Sequence, residues 1–228
     1  TISAADVVTH SEHALAIDSS LAEAHASKGL GLHTTGHYEE AEVCFKNAIT
    51  LQPDLFEAHY FYGRNCFNLG QFSKAAKLFG HAAKLKRSDF RSLGIQSMCF
   101  HSLSQLSDSR DAAWSALGRV EAVIASRPDN VDALSFGAGL LAFLGDPDRT
   151  RALAERASIL EPDDFYTQYN VACAYALLGA REEALDKLER IMMPPTPQSQ
   201  HKFMMHDSDL DSLRDNPRYI DLMKKLGY

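Results

Sequence analysis

Ten histidines make metal binding the first chemistry to consider in this 228-residue sequence. His33 and His37 are spaced to share one face of a helix, but Gly36 between them predicts a turn that separates them. We therefore expect both side chains at the surface. His10 and His13 have no third ligand nearby in the sequence. The histidine spacing thus predicts no metal site.

The acidic segment near the carboxyl end begins like a calcium-binding loop. Asp207, Asp209 and Asp211 alternate as the first ligands of such a loop do. However, Ser212 stands where the loop needs glycine, and Arg218 stands where it needs a bidentate glutamate. We therefore expect these carboxylates to cap a terminal helix rather than to bind calcium.

The cysteines are isolated from one another, with no C-x-x-C pair and no compact disulfide pattern. They lie in apolar helical patterns at Cys44, Cys66, Cys99 and Cys173. We expect reduced core residues, which favours an intracellular compartment, the cytoplasm. The sequence has no nucleophile elbow and no phosphate-binding loop, and its carboxylate pairs Glu39-Glu40 and Glu182-Glu183 open predicted helices. It therefore predicts neither a catalytic residue nor a cofactor.

Charge and hydropathy exclude two further classes of function. The formal net charge is −7, whereas nucleic-acid binding requires clustered Lys and Arg. The nearest basic run, residues 84–87, falls at a predicted helix end, where it complements the helix dipole. No apolar run reaches the roughly 20 residues that cross a bilayer. We expect neither nucleic-acid binding nor membrane insertion.

A repeat of 34 residues organises the chain. Positions with the same role recur at this interval as Gly29 and Gly63, Gly36 and Gly70, Tyr38 and Phe72, Ala41 and Ala75, Phe45 and Phe79, Ala48 and Ala82, Pro128 and Pro162, and Gly145 and Gly179. Each unit predicts a helix, a glycine turn and a second helix whose small and aromatic residues face inward.

This unit resembles the tetratricopeptide repeat, and the resemblance implies an all-α, right-handed superhelical solenoid of helix-turn-helix repeats. The expected repeat array is 22–192, and it consists of the segments 22–55, 56–89, 90–130 with an insertion, 131–164 and 165–192. It is preceded by 1–21, the second helix of a truncated repeat, and followed by 193–228, a proline-rich loop and capping helices. Because the frame begins in mid-repeat, we expect a fragment of a longer protein.

Three aromatic or imidazole side chains are expected to pack rather than to bind ligands. His25 and His59 occupy equivalent positions where the repeat places a large packing residue. The interval from Arg87 to Pro128 is 41 residues, which predicts a second helix that is two turns longer. Trp114 lies in that helix, and we expect it to be a core or cap residue.

In the tetratricopeptide architecture the first helices line a concave groove that binds a protein or peptide segment. The side chains expected to face it are Tyr60, Arg64, Phe67, Arg91, Met98, Tyr166, Tyr169 and Asn170. Aromatic residues and arginine dominate binding energy at interfaces. Tyr60 and Phe67 have an alternative role in packing between repeats.

A second resemblance concerns the carboxyl-terminal part, residues 169–179 and 207–219. These segments are similar to the repeat tail of bacterial class III adenylate/guanylate cyclases and of some serine/threonine kinases. The resemblance implies a regulatory interaction or scaffold module attached to an upstream catalytic domain, with no enzymatic activity of its own. The alternative is a self-association module that dimerises such a domain.

Overall fold

The computed structural model describes residues 3–192 and 204–228, and in these residues every regular element is a helix. The helices are α1 (Ala4–Ile17), α2 (Ala22–Thr34), α3 (Tyr38–Leu51), α4 (Phe56–Asn68), α5 (Phe72–Leu85), α6 (Arg91–Ser102), α7 (Leu106–Ser126), α8 (Val131–Leu144), α9 (Pro147–Leu160), α10 (Phe165–Leu177), α11 (Arg181–Ile191), the 3-10 helix η1 (Ser208–Leu213) and α12 (Pro217–Lys225). The predicted all-α helical-repeat fold is confirmed.

The described residues form two compact units. Unit 1 comprises residues 3–105 and 204–206, and unit 2 comprises 106–192 and 207–228. The division falls between α6 and α7, inside the segment that the repeat frame predicts as the third unit. Within the described residues, no helix combines the length and the apolar character needed to cross a bilayer.

Paired helices in unit 1 approach closely because a glycine of the first helix faces a phenylalanine of the second. Phe45 and Phe79 are completely buried. A Cβ atom at Gly29 would lie 2.7 Å from the Phe45 ring, and one at Gly63 would lie 3.0 Å from the Phe79 ring. The contact between a glycine backbone and a phenylalanine ring therefore recurs with the 34-residue period in two successive helix pairs.

The turns between paired helices reverse the chain through a residue in the left-handed region. Gly36 and Gly70 have φ values of 85° and 70°. The equivalent position after α6 is Ser104, with φ of 59°. The Gln105 amide still donates to the Phe100 carbonyl at 2.9 Å, which closes the same turn. The third turn thus keeps the geometry of the first two although its glycine is missing.

The helix α7 is long, with 21 residues where α3 and α5 have 14, and this difference corresponds to the two extra turns expected from the sequence. Its buried residues include Ala113, Ala116 and Val120, and the Val120 side chain packs over Gly137 of α8. Trp114 lies off this buried stripe and is 54% exposed. The expectation of a core or cap tryptophan was therefore wrong, because its neighbours Ala113 and Ala116 supply the packing surface.

His25 and His59 tie the loops before α2 and α4 to those helices. The His25 Nε2 lies 3.1 Å from the Ser19 carbonyl oxygen, and the His59 Nε2 lies 2.8 Å from that of Pro53. Each contact spans six residues, and the two histidines are one repeat period apart along the chain. The His59 ring also contacts the His81 ring, with 4.2 Å between the centroids and a tilt of 31° between the planes. Both imidazoles therefore have a structural role, and His59, which is buried, packs as the sequence predicted.

Candidate functional site: the first helices of unit 1

A polar cluster lies between the first helices α2 and α4. His33 is buried, and its Nδ1 donates to the Asn65 Oδ1 at 3.1 Å. The Asn65 Nδ2 donates to the Tyr38 carbonyl at 3.0 Å. The prediction of a surface His33 was wrong, because the residue belongs to the last full turn of α2 and faces α4. His37, beyond the turn, is exposed as expected.

Arg64 supplies positive charge to this cluster. Its side chain is half-buried on α4, next to Asn65. Burial, and then the Arg64 charge, lower the pKa of His33 to about 4. His33 is therefore neutral at physiological pH and donates one hydrogen bond, while the guanidinium remains the charged group beside it.

Asn68 follows Arg64 by one helical turn and is only 3% exposed. Its side-chain carbonyl oxygen accepts no hydrogen bond from the described chain. A buried polar atom without a partner costs about 1–3 kcal/mol of folding free energy. Asn68 therefore lowers the stability of the folded chain as long as no further donor reaches its oxygen. Sequence reasoning missed Asn65 and Asn68. The signal was the presence of two asparagines inside one predicted helix, where this residue type is unfavourable.

Two of the predicted groove residues in α4 have packing roles. The Tyr60 ring is half-buried and contacts the Phe79 ring edge-on, with centroids 5.8 Å apart. Phe67 is completely buried and meets Phe72 at 5.4 Å. Phe67 therefore offers no surface to a partner, which corrects the groove prediction at that residue. Phe67 lies near the end of α4, and its ring packs against α5 there.

The predicted groove residues of α6 differ in exposure. Arg91 is exposed, and its guanidinium carbon lies 5.9 Å from the centre of the Phe90 ring. Met98 is partly buried and packs against the unit 1 core. Tyr60, Arg64, Arg91 and Met98 thus all lie on first helices of unit 1 with part of their surface accessible.

The remaining predicted groove residues belong to α10 in unit 2. Tyr166 is exposed, and the half-buried Asn170 donates from Nδ2 to the Ser135 Oγ at 3.2 Å. Tyr169 is buried, and its hydroxyl donates to the Asp207 Oδ2 at 2.7 Å. Tyr169 is therefore a core residue rather than a groove residue, because η1 covers its side of α10.

Asp207 is the centre of a buried polar group in unit 2. Of the three carboxylates expected to cap a terminal helix, Asp207 alone is the N-cap of a helix in the described residues, since it accepts the Asp209 amide at 3.0 Å at the start of η1. The Cys173 Sγ lies 3.7 Å from the Asp207 Oδ2. Burial raises the pKa of Cys173, Asp207 and Asp209, and the negative charge of neighbouring carboxylates raises that of Asp209 further.

The four cysteines are free and buried, which agrees with their prediction as core residues. Burial raises the pKa of the Cys66 thiol to about 12 and raises that of Cys99 as well. Such thiols are protonated and unreactive at physiological pH.

Comparison with known proteins identifies the repeat. A family model of the tetratricopeptide repeat matches residues 22–55, the segment of α2 and α3. The tetratricopeptide protein TTC0263 of Thermus thermophilus superposes with a TM-score of 0.59 at 19% identity, over 81% of this chain and 98% of that one. YrrB, described as a tetratricopeptide protein with an unusual peptide-binding site, gives 0.51 at 16% identity, over 94% and 97%. No curated protein sequence matches significantly.

The helix pairs, their period and the superposition on TTC0263 show a helical-repeat fold of the tetratricopeptide class, and the family model assigns residues 22–55 to that repeat. Proteins of this class are in general scaffolds that bind other proteins, and the fold is typically non-catalytic.

Proposed function

We propose that this chain is a protein-interaction module whose unit 1 first helices bind a peptide or a segment of a partner domain. Arg64 carries the proposal, because it places a charged and partly accessible side chain on α4 beside the polar cluster of His33 and Asn65. An acidic group of a bound segment would pair with its guanidinium through charge-assisted hydrogen bonds.

Neighbouring side chains supply the remaining chemistry of an interface. Tyr60 and Met98 present partly buried apolar surface, and Arg91, which is exposed on α6, adds a second cation to the half-buried Arg64. Aromatic residues, methionine and arginine are enriched at protein interfaces. This combination suits a segment that carries both apolar and acidic residues.

The test is a pull-down from lysate of the source organism, followed by titration of the recovered partner. Tyr60→Ala combined with Arg64→Ala should weaken binding at least ten-fold, because it removes an apolar contact and a charge together. Tyr228→Ala combined with Lys77→Ala is the matched control, since it also removes one tyrosine and one cation but away from the first helices. Unchanged binding by the Tyr60/Arg64 variant would place the interface elsewhere.

At a finer level, we propose that the module is the regulatory carboxyl-terminal part of a larger, cytoplasmic bacterial signalling protein such as a nucleotide cyclase. The similarity of residues 169–179 and 207–219 to cyclase repeat tails supports this assignment. Sedimentation of the chain with the separately produced upstream region tests it. Formation of a complex supports regulation within one protein, and two independent species contradict it.

Self-association that dimerises an upstream catalytic domain is the second candidate. It is favoured by two exposed apolar side chains on α7, Trp114 at 54% and Leu106 at 59% exposure. A sedimentation coefficient that rises with concentration, and that stops rising in Trp114→Ala, would support it. A monomer at every concentration would eliminate it.

A further inference from the structure

Three potential metal ligands converge in unit 2 from two distant parts of the sequence. The Cys173 Sγ and one carboxylate oxygen each of Asp207 and Asp209 lie within 4.8 Å of one another. Cys173 and Asp207 are 34 residues apart, so the sequence alone did not associate them. We propose that this cluster binds a divalent transition-metal ion of the zinc class, independently of the unit 1 interface.

The separation of the thiol and the first carboxylate fits a shared ion. Zinc bonds of about 2.3 Å to sulfur and about 2.1 Å to oxygen, at a tetrahedral angle, place the two ligand atoms about 3.6 Å apart. The Cys173 Sγ and Asp207 Oδ2 are 3.7 Å apart. Asp209 is half-buried, and a small side-chain rotation would bring its oxygen to a comparable distance.

A nearby hydroxyl provides a second and independent observation. Tyr219 is 3% exposed, and its hydroxyl has no hydrogen-bond partner in the described chain. The Tyr219 phenol lies close enough to Asp207, Cys173 and Arg214 for their charges to act on it. It is suited to bond a water molecule in the fourth metal position or to occupy that position itself.

The groups around the cluster also meet the requirements of a metal site. The Tyr169 hydroxyl donates to the Asp207 Oδ2 at 2.7 Å, as outer partners that orient a carboxylate ligand do. Arg214 donates to the Asp207 main-chain oxygen at 3.0 Å. Its positive charge offsets the excess negative charge of a thiolate and two carboxylates around a divalent ion.

The ligand types select the metal. A thiolate with carboxylates suits zinc or cobalt, whereas calcium requires six to eight oxygen ligands. Binding would release the Cys173 proton, because the thiolate is the ligand form. Asp211 is not a ligand of the proposed site, since it pairs with Arg214 at 2.7 Å.

The experiment is a titration of the reduced, chelator-treated chain with Co²⁺, in which thiolate ligation produces a charge-transfer absorption band that imidazole ligation does not. We expect one equivalent of Co²⁺ to produce the band and Zn²⁺ to abolish it by displacement. Cys173→Ser should eliminate the band. Cys99→Ser, which changes another buried thiol of the chain, should retain it.

Asp209→Asn keeps the test decisive if the cysteine variant fails to fold. We expect this variant to fold, because Asp209 is half-buried and its main-chain amide still donates to the Asp207 carboxylate. This variant should retain native far-ultraviolet circular dichroism and bind Co²⁺ at least ten-fold more weakly. Absence of the band in the native chain, or its persistence in Cys173→Ser, would overturn the proposal. Unchanged affinity in Asp209→Asn would do the same.

Discussion

The His33 imidazole, in the polar cluster of unit 1, makes the stability of the protein depend on pH. Its pKa is lowered to about 4 in the folded chain by burial and by Arg64, whereas an unfolded histidine has a pKa of about 6.5. Between these values the unfolded chain binds more protons than the folded one. The contribution of His33 to the free energy of unfolding is therefore fully present above about pH 6.5. It is lost as the pH falls toward 4, by up to about 3 kcal/mol.

Urea unfolding at pH 7 and at pH 4.5 measures this loss. His33→Gln should have a smaller pH dependence, because the amide can still donate to Asn65 but does not titrate. His13→Gln, an exposed change on α1, serves as the control and should retain the native pH dependence. An identical pH dependence in the His33 variant would show that the imidazole is not the group responsible.

Asn68 separates stability from binding. Replacement by leucine, of similar size, removes the unbonded carbonyl oxygen and should leave the free energy of unfolding unchanged or raise it by about 1 kcal/mol. The same replacement should leave the proposed segment binding unchanged, since Asn68 is buried and lies out of reach of a docked segment. Thermal unfolding and titration with the recovered partner test the two parts. A clear loss of stability would indicate that Asn68 has a structural role.

At the scale of elements, the glycine-phenylalanine contacts set the spacing of the paired helices. Gly29→Ala would place a methyl group 2.7 Å from the buried Phe45 ring and should destabilise unit 1 by about 1–3 kcal/mol. Gly118→Ala is the matched control in the interior of α7, where the new Cβ would meet no described heavy atom within 4 Å apart from the adjacent backbone of α7 itself. It should stabilise the protein by about 0.5–1 kcal/mol.

Chemical denaturation of the two glycine variants checks both signs. The contrast isolates the ring contact, because each change adds the same methyl group to a helix interior. Equal effects in Gly29→Ala and Gly118→Ala would mean that the Phe45 ring moves aside without cost.

At the scale of the molecule, two compact units predict two unfolding transitions. Trp114 is the only tryptophan of the sequence and belongs to unit 2, so its fluorescence reports that unit alone. Circular dichroism reports all helices. Gly29→Ala should therefore shift part of the dichroism transition to lower denaturant and leave the Trp114 transition unchanged. Coincident transitions that shift together would show that the chain unfolds as one unit.

The sequence by itself determined the helical repeat, because the 34-residue period arises from contacts between neighbouring elements. Gly29, Phe45 and their equivalents recur since each helix pair solves the same local packing problem. The long α7 was predictable for a similar reason, as whole added turns preserve the direction of a helix face. The same local logic predicted Asp207 as a cap.

Tertiary structure alone decided which side chains face another element and which face solvent. His33 is buried because α4 lies against the last turn of α2, and Trp114 is exposed because smaller residues occupy the packing face of α7. The approach of Asp207 to Cys173 also depends on how the terminal segment returns to α10. Periodicity specifies one face of a helix, but only the packed neighbours determine what covers each residue on it.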